Sequence, residues 1–214
     1  MKLVLHNYWR SSASHRVRIA LHYKELAFDY VAVNIRDGEQ HSAVYRAKNP
    51  MAFVPTLEVV EDGKVLTLTQ SLPILEYLEE RWPARALLPK DPYLRARSRA
   101  LAEIVNSGIQ PMQNLATAAK LKTHGVDGAE WARHFIASGL AAFAKLAAET
   151  AGTFCVGDAP TLADCCLVPQ LGAARRYNVD LAPFPQLVAI EEHCLALPAF
   201  TAAAPDRQLD AVKA

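Results

Sequence analysis

Apolar positions in the first third of the chain switch repeatedly between two periods. Leu3-Val4-Leu5 is a short strand-like run, followed by the aromatic pair Tyr8-Trp9. From about Ser14 to Lys24, Val17, Ala20 and Leu21 recur at helical spacing, and Phe28 to Val33 returns to a strand. After a polar segment, Thr56 to Val60 and Val65 to Leu68 flank Glu61-Asp62-Gly63-Lys64, the pattern of a hairpin. From Ser71 to about Arg81, Ile74, Leu75 and Leu78 make one stripe, while Glu76, Glu79 and Glu80 lie elsewhere. The order βαβ, hairpin, helix predicts a small mixed sheet packed by helices.

The pattern then changes. Pro83, Pro89 and Pro92 punctuate a connector, and beyond about residue 93 Ala, Leu, Lys, Arg and Glu dominate without β-branched alternation. Helices are expected over Arg95 to Lys122 (interrupted at Gly108 and Pro111), Glu130 to Thr150 and Leu162 to Tyr177, with shorter pieces after Pro185. The expected organisation is an α+β domain over residues 1–83, a linker over 84–92 and an all-helical domain over 93–214.

Composition narrows the function classes. Of 214 residues, 51% are hydrophobic and the formal net charge is only +1. No overall field recommends nucleic acid or an anionic membrane as a partner. Met1-Lys2-Leu3 enters a strand directly, without a signal-peptide pattern or an apolar run of membrane-spanning length. Cys155, Cys165, Cys166 and Cys194 match no zinc spacing and read as buried reduced thiols, so a cytoplasmic protein is expected. His15 and His124 have no companion at metal-ligand spacing, so no metal is expected. Trp82, Tyr93 and Trp131 read as packing or interface residues and not as a cofactor platform. Thr161-x-x-Asp164 reads as a capping box at a buried helix start.

Candidate chemistry begins at Ser11-Ser12-Ala13-Ser14-His15-Arg16-Val17-Arg18-Ile19-Ala20-Leu21. Three hydroxyls in four positions precede a helical pattern. Such an entrance offers hydroxyl donors, unpaired N–H groups and the positive end of a helix dipole, which suits an anion such as a thiolate. A serine that only caps the helix explains the same residues. In Val54-Pro55-Thr56-Leu57 a proline stands at a strand entrance, and a cis Val54–Pro55 bond would turn the Val54 backbone towards a bound peptide. Ser71, after Thr69-Gln70, reads as the N-cap of its helix, with a ligand carboxylate at that helix end as the functional reading and Gln70 helping to place it.

These pieces together resemble the zeta-class glutathione transferases, the group that includes maleylacetoacetate isomerase. The resemblance rests on the serine stretch, Asn49-Pro50-Met51 with Val54-Pro55-Thr56-Leu57, and Gln70-Ser71-Leu72-Pro73-Ile74-Leu75-Glu76-Tyr77-Leu78-Glu79-Glu80. It continues through Gly108-Ile109-Gln110-Pro111-Met112-Gln113-Asn114-Leu115, Val156-Gly157-Asp158-Ala159-Pro160-Thr161-Leu162-Ala163-Asp164 and Leu167-Val168-Pro169-Gln170, nearly the full length in order. It implies a thioredoxin-like N-terminal domain, an all-α C-terminal domain, a homodimer and glutathione as cofactor.

Position by position, the resemblance implies Ser11 as the thiol-activating hydroxyl, with Ser12 and the helix start at Ala13 and Ser14 beside it. His41 and the Val54 backbone match glutathione-binding positions, Gln70 and Ser71 match the grip on the γ-glutamyl end, and Gln110 and Asn114 match contacts from the helical domain. Arg10 and Arg176 match arginines for the carboxylates of a dicarboxylate-type substrate, which the guanidinium fork suits. Ala13 departs from the family, where many members carry cysteine. The implied reaction is cis–trans isomerisation of maleylacetoacetate to fumarylacetoacetate by thiolate addition, bond rotation and elimination. A free cysteine thiol titrates near pH ~8.5, and lowering that by about two units needs roughly 2.7 kcal/mol. One charge-assisted hydrogen bond and a helix N-terminus together supply about that much. Maleylpyruvate isomerisation and a general transferase or α-halo acid dehalogenase activity are the alternatives. Leu115-Ala116-Thr117-Ala118 lacks the extra arginine of the maleylpyruvate enzymes. A non-enzymatic glutathione-fold binding module is the alternative of another class.

Overall fold

The structure, a computed structural model, describes residues 1–212. It divides into two compact units, Met1–Ala86 together with the chain from Leu197 onward, and Leu87–Ala196.

In the first unit, β1 (Lys2–Asn7), α1 (Ser12–Tyr23) and β2 (Asp29–Ala32) form a βαβ crossover. A 3-10 turn (Glu39–His41) and α2 (Ala43–Lys48) follow in the polar segment, where no hydrophobic period announces them. The hairpin is β3 (Thr56–Glu61) and β4 (Lys64–Thr69), and α3 (Ser71–Arg81) closes the unit's first stretch. Strand order is β2-β1-β3-β4, with β1 and β2 parallel and the other pairs antiparallel. Asp62 and Gly63 both take positive φ (50° and 73°), the backbone of a two-residue hairpin turn whose twist matches its strands.

The core of this unit holds Leu3, Leu5, Val17, Leu21, Leu57, Val59, Ile74, Leu75 and Leu78, all essentially inaccessible. The stripe of Val17, Ala20 and Leu21 understates what α1 buries, because His15, Arg16 and Arg18 are buried too. Lys24, also buried, pairs with Glu79 at 2.7 Å and donates to the Trp82 carbonyl at 2.8 Å, fastening the end of α1 to the end of α3.

The second unit is helical. Its elements are α4 (Pro92–Glu103), a π-helical turn (Ile104–Ile109), α5 (Leu115–Lys122), α6 (Gly128–Ala147), α7 (Leu162–Arg176) and α8 (Pro185–Leu195). The interruption expected at Gly108 and Pro111 within Arg95 to Lys122 is present. Helical hydrogen bonding widens at Ile104–Ile109, and Pro111, lacking an N–H, prevents recovery before Asn114 caps a new helix. The four cysteines are buried thiols.

At the start of α7 the buried Asp164 carboxylate accepts from the Thr161 N–H (2.7 Å), the Thr161 hydroxyl (2.8 Å) and the Cys155 N–H (2.8 Å), the capping arrangement expected. Asp164→Asn keeps the volume and loses one acceptor. It should cost about 1–2 kcal/mol, read as a fall of about 2–4 °C in melting temperature per kcal/mol.

The sequence predicts one helical domain from residue 93 to the end, but the last segment groups with the first unit. There α9 (Pro198–Ala202) packs on α1, and the Arg18 guanidinium takes the Ala203 carbonyl at 3.1 Å. Short helical pieces carry no periodic signal of which unit they cover, and a bond to a buried arginine decides it.

Candidate active site

In the sheet register His6 faces Thr56 and Thr56 faces Thr69. The end of β1, the start of β3 and the end of β4 thus share one edge of the sheet. The Tyr8–Ser11 turn, the Val54–Pro55 step and the Gln70-Ser71 helix entrance all leave from that edge. Three segments far apart in sequence converge because antiparallel pairing places them there.

At the first segment the Ser11 N–H bonds to the Tyr8 carbonyl at 3.0 Å, closing a turn that delivers Ser11 to the N-cap position of α1. The Ser11 hydroxyl accepts from the Ser14 N–H at 3.2 Å. A hydroxyl that accepts in this way keeps its own proton to donate. Capping and thiolate activation are therefore compatible in one side chain. Ser12 is buried beside it, and Ala13 is half-buried. Ser14 is inaccessible, with its hydroxyl 3.5 Å from the Tyr8 N–H, inside the turn. The Arg10 guanidinium lies over the Trp9 ring at 5.7 Å.

At the second segment the Val54–Pro55 bond is cis. The Phe53 carbonyl just before it accepts from both Tyr45 Oη and Asn49 Nδ2 at 2.7 Å, and Tyr45 Oη also contacts Thr56 Oγ1 at 3.0 Å. Val54 packs with Tyr8, Val33 and Tyr45 in a small apolar cluster under the site. The Phe53 carbonyl and the Val54 side chain are thus both held.

The third segment corrects the expected cap. Ser71 is the first residue of α3 and Gln70 occupies the cap position, with φ 68°, ψ 125° and no side-chain capping bond. The reason is Arg16. Its Nη1 donates to Ser71 Oγ at 3.1 Å, so that hydroxyl is drawn into a buried bridge between the two helix starts. Gln70, a residue with a Cβ at positive φ, stores roughly 1–3 kcal/mol of strain, the kind that collects at ligand clamps.

Two helix N-termini and the inaccessible Arg16 guanidinium make this edge electropositive. Arg16 carries no catalytic signature in sequence. Its one hint is a position beside Val17 on the first turns of a helix that has too few apolar residues for its burial. His41 sits apart on the exposed 3-10 turn, its ring nitrogens 3.2 Å from Gln40 Nε2 and 3.4 Å from Arg46 Nη2.

In the helical unit Gln110 ends the π-helical turn and Asn114 caps α5, accepting from the Ala116 N–H at 3.0 Å. Between them, the buried Gln113 and Gln170 amides exchange bonds of 3.1 and 3.2 Å, and Tyr177 Oη donates to the Gln113 carbonyl at 3.3 Å. The Gln110–Asn114 segment is thereby fastened to the end of α7 that carries Arg176. Its neighbour Arg175 is committed to Glu191 by a forked ion pair (2.5 and 2.7 Å), while the Arg176 side chain folds back towards Gly172.

Comparisons with known proteins agree with this fold. Residues 10–81 match the family described as glutathione S-transferase, N-terminal domain, and residues 129–200 match its C-terminal domain. Probable maleylacetoacetate isomerase 2 of Drosophila melanogaster is 46% identical over 97% of this chain and 89% of its own length. The crystal structure of maleylacetoacetate isomerase from Anaeromyxobacter dehalogenans 2CP-1 with bound GSH is 54% identical, covers 99% of this chain and 98% of its own, and superposes with a TM-score of 0.93. A second crystal structure of that protein, with dicarboxyethyl glutathione and citrate in the active site, covers the same shares at 53% identity and a TM-score of 0.92. A bacterial maleyl pyruvate isomerase, described as a zeta-class glutathione S-transferase, is 42% identical over 98% of this chain and 100% of its own, with a TM-score of 0.92.

Proposed function

This chain belongs to the zeta class of the glutathione S-transferase family, and on that premise we propose that it is a glutathione-dependent cis–trans isomerase acting on maleylacetoacetate. The observation that carries the reading is the shared sheet edge, from which the Ser11 turn, the cis Val54–Pro55 step and the helix entrance at the Arg16-bridged Ser71 all leave. That donor set fits glutathione: a hydroxyl proton and a helix N-terminus for a thiolate, a strand-edge backbone for a peptide, and a second helix N-terminus for a carboxylate.

When bound, glutathione would supply a thiolate nucleophile for reversible addition to the cis double bond, the chemistry that frees that bond to rotate. Ser11 donates to the sulfur and stabilises its charge. Ser12 and the N–H groups at Ala13 and Ser14 add the helix-end field. Val54 pairs with the peptide backbone, and Ser71 and Gln70 hold the γ-glutamyl carboxylate, with His41 at the outer end. Arg10 and Arg176 are assigned to the substrate carboxylates, and Gln110 and Asn114 to further ligand contacts. We further infer a homodimer working in the cytoplasm. Among the described residues no helix is long and apolar enough to cross a membrane.

The decisive experiment follows loss of maleylacetone absorbance with and without glutathione. Glutathione-dependent loss of the cis isomer is expected, and retention of glutathione without turnover would instead mark a binding module. Maleylpyruvate, the substrate named for one zeta-class relative, is the comparison substrate. Because Leu115 stands where that alternative calls for an arginine, the kcat/KM ratio should favour the maleylacetone substrate. Ser71→Ala should raise the KM for glutathione by about tenfold with little change in kcat, the lower end of the worth of a hydrogen bond to a charged group. An equal fall in kcat would place Ser71 nearer the reacting atoms than this assignment does.

A further inference from the structure

We propose that Asp210, near the end of the chain, is a positioning residue for the glutathione site, holding the Tyr8–Ser11 turn so that Ser11 presents its hydroxyl. The inference rests on the glutathione reading above and extends it to a segment outside the three that form the site.

Asp210 Oδ2 accepts from the Trp9 N–H at 3.0 Å, and Oδ1 accepts from the Tyr30 hydroxyl. From the opposite side Arg18 donates to the Tyr8 carbonyl (3.3 Å), the Trp9 carbonyl (2.9 Å) and Asn7 Oδ1 (2.8 Å). Successive peptide groups of the turn are thus gripped by a cation and an anion, and the turn's own Ser11-to-Tyr8 bond closes on them. Burial lowers the Arg18 pKa to about 10, so it stays cationic at neutral pH, with Tyr30 and Asp210 favouring its charge. Burial and the bond to Asp210 keep the Tyr30 hydroxyl protonated far above its ordinary range, so it remains a donor to the carboxylate.

Packing does not explain why this end of the chain returns here. Leu209 and Val212, the large apolar residues on either side of Asp210, are 87% and 73% exposed. Directed bonds from Asp210 hold the segment, so their loss releases the turn while the core stays intact.

The test compares full-length Asp210→Ala, Asp210→Glu and Tyr30→Phe proteins with the parent by calorimetric glutathione binding, the ultraviolet thiolate absorbance of the bound tripeptide, and melting temperature. Gln208→Ala is the control, because the Gln208 side-chain amide donates to the Ala202 and Ala204 carbonyls (3.0 and 2.7 Å), so its loss loosens the same segment without touching the turn. Asp210→Ala should bind glutathione about fivefold more weakly, the worth of one lost bond, with less thiolate at neutral pH and a small change in melting. Asp210→Glu should recover part of the thiolate signal. Tyr30→Phe, which removes only the tether on Asp210, should shift both readouts the same way by less, and it carries the test if Asp210→Ala does not fold. Parent-like binding and thiolate absorbance in Asp210→Ala, or an equal loss in Gln208→Ala, overturns the proposal. If those results accompany a parent that isomerises normally, the positioning role alone fails. A parent that binds no glutathione overturns both readings together.

Discussion

Replacing Arg18 by methionine is expected to lower the unfolding midpoint by about 10 °C, the largest stability loss of any single change considered. The side chain is inaccessible and donates to four acceptors: the carbonyls of Tyr8, Trp9 and Ala203, and Asn7 Oδ1. Methionine fills much of the volume but can satisfy none of them. Stranding buried acceptors and removing the partner of a buried charge cluster costs about 3–5 kcal/mol, and a chain of this size loses about 2–4 °C per kcal/mol. Differential scanning calorimetry checks it. A midpoint within about 2 °C of the parent would mean that water or rearrangement satisfies these carbonyls equally well. Arg18→Lys should recover only part of the loss, because one ammonium cannot reach along the fork from Asn7 to Ala203.

Ser11→Ala is expected to lower kcat/KM by ten- to a hundredfold, since a hydrogen bond to a charged group is worth about 1.5–3 kcal/mol. The same hydroxyl caps α1 through the Ser14 N–H, so alanine should also cost about 1 kcal/mol of stability. Ser11→Asp separates the two roles. A carboxylate accepts from the Ser14 N–H and favours the helix N-terminus, so melting should be retained or raised. Placed against the thiolate, the same charge repels it and offers no proton, so turnover should fall at least as far as in alanine. Steady-state kinetics beside thermal melts read both effects. If Ser11→Asp retained parent-like turnover, the sulfur would be activated elsewhere, with Ser12 the next hydroxyl to test.

Much of the fold was legible because it is encoded between near neighbours. The helix expected over Ser71 to Arg81 has those bounds, and the Glu61–Lys64 turn forms the hairpin through Asp62 and Gly63. Thr161 and Asp164 close the cap they were read as closing. The local structure of the polar segment from residue 34 to 53 was opaque. Its helix and its Asn49 and Tyr45 bonds serve to hold the Phe53 carbonyl ahead of the cis step, a task no hydrophobic period reports. The Ser71 cap was misread for a related reason: serine before a helix usually caps it, and only the buried Arg16 shows that this hydroxyl is otherwise engaged.

Sequence alone determined the order of the strands and of the helices outside the polar segment, the turn chemistry and the family, since each depends on residues a few positions apart or on motifs standing in register. The tertiary structure decided which charges are buried and what they hold. Arg16 meets Ser71 across 55 positions, Arg18 meets Ala203 across 185, and Trp9 meets Asp210 across 201. A guanidinium within a helix has the same local preferences whether it faces water or a carbonyl. Only the packed chain, by removing the water, makes those distant partners necessary.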